Sequence, residues 1–170
     1  MGNQNWETPP DFYAALEKKF GAFDIDVAAT PQNAKCQSYI TEHGDALSKR
    51  TDWFVSGNKH AFCNPPYAHL APWIYKARGE VYYASSNQAS VILLTHSTFG
   101  VKWFPEALGL VTRIHQCIGA RVQFVDPDGA HKCGNNRDTM VWEFTKERVR
   151  GQVVCWDWRV DVPEQLEIEG

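Results

Sequence analysis

No stretch of this 170-residue chain is apolar for long enough to cross a membrane as a helix. The opening Met1-Gly2-Asn3-Gln4-Asn5-Trp6 lacks the charged and apolar regions of a signal peptide, so secretion is not expected. The cysteines (Cys36, Cys63, Cys117, Cys133 and Cys155) are odd in number, widely spaced and never C-x-x-C. That argues against a zinc site or a disulfide framework and fits a reducing cytoplasm. His60, His69, His96, His115 and His131 show no ligand spacing such as H-x-x-x-H, so no metal is expected. No G-x-G-x-x-G follows a predicted strand, which disfavours a nicotinamide dehydrogenase. A positive surplus is missing too: the formal net charge is −3. Its distribution is uneven. Residues 113–150 carry seven Lys and Arg against five Asp and Glu, whereas residues 151–170 carry Arg159 alone against five acids. A mildly basic segment is thus masked by an acidic tail.

What remains is ordinary globular composition, 44% hydrophobic and 22% charged, in a length that suits one domain over residues 1–170. Thr8-Pro9-Pro10 predicts a helix start, with Thr8 as N-cap and Pro9 as the first helical residue. Phe12, Leu16 and Phe20 keep helical spacing, Ala15 fills the same face, and Gly21 is the stop. A strand is expected over 23–29, where Asp24 and Asp26 alternate with apolar residues, and a weak one at 38–41. Another runs over 60–64, followed by a helix from Pro72. Residues 90–95 are almost continuously apolar, as in a strand buried on both faces. A short helix over 101–108 and strands over 111–116, 121–125, 139–144 and 153–157 complete the pattern. It predicts an α/β fold with a mostly parallel sheet and a β-rich carboxyl-terminal end.

The most informative stretch is His60-Ala61-Phe62-Cys63-Asn64-Pro65-Pro66-Tyr67. Consecutive prolines cannot continue a sheet ladder, so the strand must stop there. They also stiffen the backbone, so the Asn64 side chain and the Pro65 carbonyl keep a fixed relation. Both are hydrogen-bond acceptors, and an aromatic ring follows. Such a site suits a planar amine: two acceptors for its N–H groups and a ring face for stacking. In a parallel sheet this turn falls at the carboxyl ends of the strands, where ligands bind.

Asn64-Pro65-Pro66-Tyr67 resembles the motif of S-adenosylmethionine-dependent amino-methyltransferases. Further stretches resemble, in order, elements of the phage and prophage Dam-like DNA N6-adenine methyltransferase family. Glu7-Thr8-Pro9-Pro10 is similar to the element that touches the methionine part of the cofactor. Asp24-Ile25-Asp26-Val27-Ala28-Ala29-Thr30 is similar to the first-strand cofactor motif, and Gly44-Asp45-Ala46-Leu47 to the acidic element that meets the cofactor's adenine. Residues 91–95 with Trp103-Phe104 resemble a later strand and its Trp-Phe pair. Gly119-Ala120-Arg121-Val122-Gln123-Phe124 resembles a Gly-Arg-Ile-x-Phe segment with Ala120 inserted. The likeness spans roughly residues 6–145.

It implies a Rossmann-like methyltransferase fold and a cytoplasmic enzyme of a bacterial host. Its substrate is double-stranded DNA, the target a short palindrome such as GATC. Asn64 and Pro65 accept from the adenine N6 amine, Pro66 fixes the turn, and Tyr67 stacks the flipped base. Thr8, Pro9, Asp24, Asp26, Ala28 and Asp45 are the implied cofactor contacts. Asp26, Glu42 and Asp45 all remain candidates for the ribose hydroxyls. The glycine-rich turn of most methyltransferases is missing; Ala28-Ala29-Thr30-Pro31 stands in its place. The polar stretch 126–138, together with Arg121, is the expected DNA-reading element. Lys132 and Arg137 are offered for phosphates or guanine, and Asn135 and Asn136 for adenine edges. RNA or protein-glutamine methylation, and a catalytically inactive DNA-binding phage module, are the alternatives.

Overall fold

The computed structural model describes residues 6–125, 137–147 and 151–161. The described elements run α1 (Pro10–Phe20), β1 (Ile25–Asp26), β2 (Ser38–Tyr39), β3 (His60–Cys63), α2 (Leu70–Tyr83), β4 (Ser90–His96), α3 (Phe104–Leu108), β5 (Arg113–Ile118), β6 (Thr139–Thr145) and β7 (Gln152–Asp157). The seven strands form one sheet in the order β2-β1-β3-β4-β6-β5-β7. Only β6 runs against the others; it pairs antiparallel with β4 and β5. The expectation of a mostly parallel α/β sheet with a β-rich end holds.

β4 lies at the centre, and its residues 91–95 are all buried. Alternation splits them between two cores. Val91 and Leu93 join Ala61, Cys63, Trp142 and Phe144 under α2, which contributes Ile74, Ala77 and Val81. Ile92 and Leu94 join Phe62, Val141 and Trp156 under α1, which contributes Phe12, Ala15 and Leu16. With a helix on each face, no β4 side chain in that run reaches solvent, so it reads as an unbroken apolar run.

Local signals shift several boundaries. α1 starts one residue later than expected: Pro9 occupies the cap position and Thr8 makes no cap bond. The stop is as expected, since Gly21 sits at φ 94° and gives its N–H to the Glu17 carbonyl. α2 begins before Pro72, which falls in its first turn, where a missing N–H costs nothing. The strand expected over 23–29 shortens to Ile25–Asp26, although Asp24, Val27 and Ala29 still donate to neighbouring carbonyls.

No strand forms over 121–125. Buried Val122 and Phe124 alternate there with exposed Arg121 and Gln123, which imitates a strand. Gly119, at φ 84°, turns the chain off the end of β5, and Val125 forms an isolated bridge with Glu7.

Trp142 is fully buried and its indole N–H donates to Thr95 Oγ1 across the β4–β6 pair (2.9 Å). Trp142→Ala is expected to cost about 3–5 kcal/mol in urea unfolding. Tyr83→Ala, at a side chain 84% exposed, should stay within about 0.5 kcal/mol.

Glu143 offers a second test. Burial pushes its carboxyl up, but the His115 Nε2 bond (2.8 Å) and the charges of His115, Arg113 and Lys19 pull it net below its ordinary value. A carboxylate lowered on folding stabilises above its unfolded range and loses that contribution as pH falls through its own lower range. The stability gap between the protein and Glu143→Gln should therefore be widest near neutrality. It should close on acidification below about pH 4, as read by thermal unfolding across pH.

Candidate active site

β3 lies between β1 and β4, and its carboxyl end delivers Asn64 to the rim of the sheet. The Pro65-Pro66 stop then turns the chain towards α2. Asn64 is half-buried; its amide N–H donates to the Trp6 carbonyl (2.8 Å), and its Oδ1 accepts from the Tyr67 hydroxyl (3.0 Å). Pro65 is buried and Pro66 exposed. The Tyr67 ring is braced by His96, whose centroid lies 4.2 Å away at a 54° tilt, and by Phe124 edge-on at 6.2 Å. Burial, with a contribution from Cys63, drives the Tyr67 hydroxyl far above its ordinary value, so it stays a donor. His96, at the end of β4, is half-buried. Burial, and then the Arg137 charge, lower its pKa and favour the neutral ring. Its Nδ1 is buried without a partner among the described residues.

Beside Asn64 opens a cleft of about 770 Å³ along the carboxyl ends of β1 and β3. This is a size and position typical of small-molecule sites. Its floor is Asp26, 3% exposed. Asp26 Oδ1 accepts from the Ala28 N–H (3.2 Å) and Oδ2 from the Lys35 N–H (3.1 Å). Burial raises its pKa, and these bonds only partly offset the rise. The Asn33 side chain accepts from Thr30 N–H (2.7 Å). Side-chain acceptors thus shape this loop, which contains no glycine.

On the opposite wall Asp45 holds a left-handed backbone, φ 43°, the one positive φ outside glycine among the described residues. Behind it Ala46 is tied to the Trp53 indole (3.0 Å), and Lys76 donates to the carbonyls of Ser48 (2.9 Å) and Thr51 (2.6 Å). Thr8 lines the cleft, and its Oγ1 is buried with no partner among the described residues.

Of the residues expected to bind cofactor, Thr8, Asp26, Ala28 and Asp45 line this cleft, as does Glu42. Pro9 caps α1 and is not among the lining residues. Asp24 stands elsewhere. Its carboxylate accepts from the N–H groups of Lys59 (2.7 Å) and His60 (3.0 Å) at the start of β3. These bonds and the neighbouring charges hold its pKa below the ordinary value against the opposing effect of burial. Asp24 precedes the short strand that Asp26 ends, so the two do not share a site.

Arg121 is exposed and paired with Asp138 (3.2 Å), and Arg137 is exposed beside His96. Lys132, Asn135 and Asn136 lie outside the described residues. Sequence reasoning missed the Trp6 carbonyl and the Lys35 N–H, because backbone groups carry no residue signature. It set aside His96, having weighed histidines only as metal ligands.

An acceptor at the cleft's edge, a buried carboxylate on its floor and an unpaired buried hydroxyl suit a polar, nucleoside-sized ligand next to a bound amine. The comparisons with known proteins point the same way. A family model described as "DNA N-6-adenine-methyltransferase (Dam)" matches residues 2–157. A DNA N-6-adenine-methyltransferase of Escherichia phage T1 is 30% identical over 102 residues, which is 60% of this chain and 40% of that protein's length. The "Putative methyltransferase YfdM" of Escherichia coli (strain K12) is 36% identical over 76 residues, 43% of this chain and 76% of its own length. The match thus spans less than half of the phage protein. The family model, by contrast, takes in nearly all of this sequence, and the chain belongs to the DNA N-6-adenine-methyltransferase (Dam) family.

Proposed function

We propose that this chain is a single-domain, Rossmann-like, S-adenosylmethionine-dependent DNA adenine-N6 methyltransferase acting in the cytoplasm of a bacterial host. The observation that carries this reading is the placement of Asn64 at the edge of a cleft containing Asp26 and the Thr8 hydroxyl, which has no partner among the described residues. Family membership and the seven-stranded sheet with one reversed strand support it. S-adenosylmethionine supplies an electrophilic sulfonium methyl group. Thr8 is suited to its methionine end. Asp26 or Glu42 is suited to the ribose hydroxyls, and the Asp45 wall to the adenine.

The residues of the chain do the rest. The exocyclic nitrogen of adenine is a weak nucleophile because its lone pair is conjugated into the ring. Asn64 Oδ1 and the Pro65 carbonyl accept its two N–H groups, draw the nitrogen towards a tetrahedral shape and offset the charge that develops on it. A carbonyl oxygen has two lone pairs, so Oδ1 serves the substrate while the Tyr67 hydroxyl keeps the other. With S-adenosylmethionine held in the cleft by Thr8, Asp26 and the Asp45 wall, Asn64 and Pro65 would hold the amine to receive its methyl group, and the surplus N6 proton would leave to water. The target base must leave the duplex to reach this site, and Tyr67 is its stacking surface, braced by His96 and Phe124. Arg121 and Arg137, with Lys132, Asn135 and Asn136, are the proposed DNA contacts, and GATC is the proposed target.

Labelled S-adenosylmethionine, offered with DNA, RNA and protein acceptors, tests the assignment. Label in DNA at one short motif, lost by about 10²-fold or more in Asn64→Ala, is the expected result. Label in RNA or protein alone would move the substrate class, and no cofactor binding would favour an inactive module. Tyr67→Phe should stay within a few-fold of the parent, whereas Tyr67→Ala should raise the KM for DNA by about tenfold or more, the value of one base stack. Asp26→Asn offers one acceptor where two backbone N–H groups need one each. It should weaken cofactor binding in calorimetry by about tenfold while leaving DNA affinity in the absence of cofactor unchanged.

A further inference from the structure

The two ends of an asparagine amide have nearly the same shape and opposite chemistry. Turned one way, Asn64 offers Oδ1 to an amine; turned the other way, it offers N–H groups to N–H groups. Nothing within Asn64-Pro65-Pro66-Tyr67 fixes that choice. The Tyr67 hydroxyl donates to Oδ1 at 3.0 Å, but a hydroxyl would accept from an amide N–H equally well. Among the described residues the one other partner is the Trp6 carbonyl, 2.8 Å from Nδ2, and a carbonyl only accepts. It alone distinguishes the two ends.

The carbonyl is itself held in place. Glu7 and Val125 exchange both backbone bonds, Glu7 N–H to Val125 O (2.9 Å) and Val125 N–H to Glu7 O (3.0 Å). Beyond Thr8 the chain enters the cap of α1, and the Trp6 side chain packs against the core beneath that helix. Residues 6–8 are thus tied at both ends, and all three line the cleft.

We infer that residues 6–8 form a positioning strap: the Trp6 carbonyl sets which end of the Asn64 amide meets the substrate amine, and the Glu7–Val125 bridge sets the Trp6 carbonyl. This rests on the proposed amine-methylating function and adds to it a part contributed from 58 residues away in the chain. The strap touches no reacting atom; it acts through Asn64.

The strap has a signature that a merely structural segment lacks. Asn64→Asp sets a carboxylate oxygen against the Trp6 carbonyl, acceptor facing acceptor. With the strap intact that substitution is costly. With the strap loosened the repulsion goes, and a carboxylate needs no orienting because both its oxygens accept.

Glu7→Pro removes the N–H that the Val125 carbonyl accepts, and Val125→Pro removes the N–H that the Glu7 carbonyl accepts; the second serves if the first fails to fold. Either is expected to lower kcat for adenine methylation by about tenfold. In either background Asn64→Asp should cost at least about tenfold less than it does in the parent. A second readout needs no acceptor or cofactor. In ¹⁵N-labelled protein, the Asn64 side-chain amide protons, identified by their loss in Asn64→Asp, should be well separated and slow to exchange. In both strap variants their separation should narrow towards that of a free asparagine amide and their exchange should quicken.

Costs that simply multiply, or amide signals indifferent to the strap, would overturn the inference. If the signals behave as expected but the parent methylates no DNA, RNA or protein, the orientation stands and the proposed function falls.

Discussion

A strand that meets two prolines has no N–H with which to go on pairing, and the site depends on where that stop falls. It falls at Asn64, one residue past the end of β3, whose neighbours in the sheet are β1 and β4. Both pairings are parallel, so the carboxyl ends of all three strands open on the same side. β1 ends in Asp26 and β4 in His96. The stop therefore sets the Asn64 amide between the floor of the cleft on one side and the brace of Tyr67 on the other. A stop one residue earlier or later would turn the next side chain to the opposite face of the sheet. The burial of Ala61, Phe62 and Cys63 between two cores guards against that slip.

Where one force dominated a segment, the sequence was a sound guide. The apolar run over 90–95 is β4, and the 3.6-residue spacing of Phe12, Leu16 and Phe20 is α1 with its glycine stop. Where two patterns competed, the reading slipped. Residues 121–125 alternate as a strand does, but Gly119 takes the chain away from the β5 ladder, and Val122 and Phe124 fill the core under α1. The Asp24/Asp26 alternation suggested one shared face for two acids. The ladder is too short for that, and the acids serve opposite ends of the strand, one bonding the start of β3 and the other closing the loop that follows β1. The Asn64 motif was legible because its chemistry lies in its own residues.

The missing glycine turn has a physical counterpart. Glycine lets a loop approach a ligand by removing a side chain; here the approach is arranged by drawing the loop onto Asp26. Its two oxygens take the N–H groups of Ala28 and Lys35, so one buried carboxylate gathers both ends of the segment between them. The Tyr13 hydroxyl of α1 adds a longer bond to the Lys35 carbonyl (3.4 Å). Burying a carboxylate is costly, and the upward shift of Asp26 reflects that cost; the two N–H groups offset part of it. The loop is therefore drawn onto one buried carboxyl, with the Asn33–Thr30 and Tyr13–Lys35 bonds beside it. That makes the identity of residue 26 a matter of loop shape before it is one of ligand contact.

The same logic separates what a motif specifies from what it leaves open. Asn64-Pro65-Pro66-Tyr67 fixes a backbone turn, an amide and a ring, but the amide N–H is bound by the Trp6 carbonyl, and the ring is braced by His96 and Phe124. None of these supports is encoded by residue type in a way that spacing reveals: the first is backbone, and the others are ordinary residues at the ends of unrelated segments. The motif thus carries an amide and a ring but not their surroundings. In this chain those surroundings are assembled by β4, by the segment after Gly119 and by residues 6–8. The last of these is bridged to Val125, so the pieces that aim Asn64 and brace Tyr67 are joined to one another as well as to the sheet.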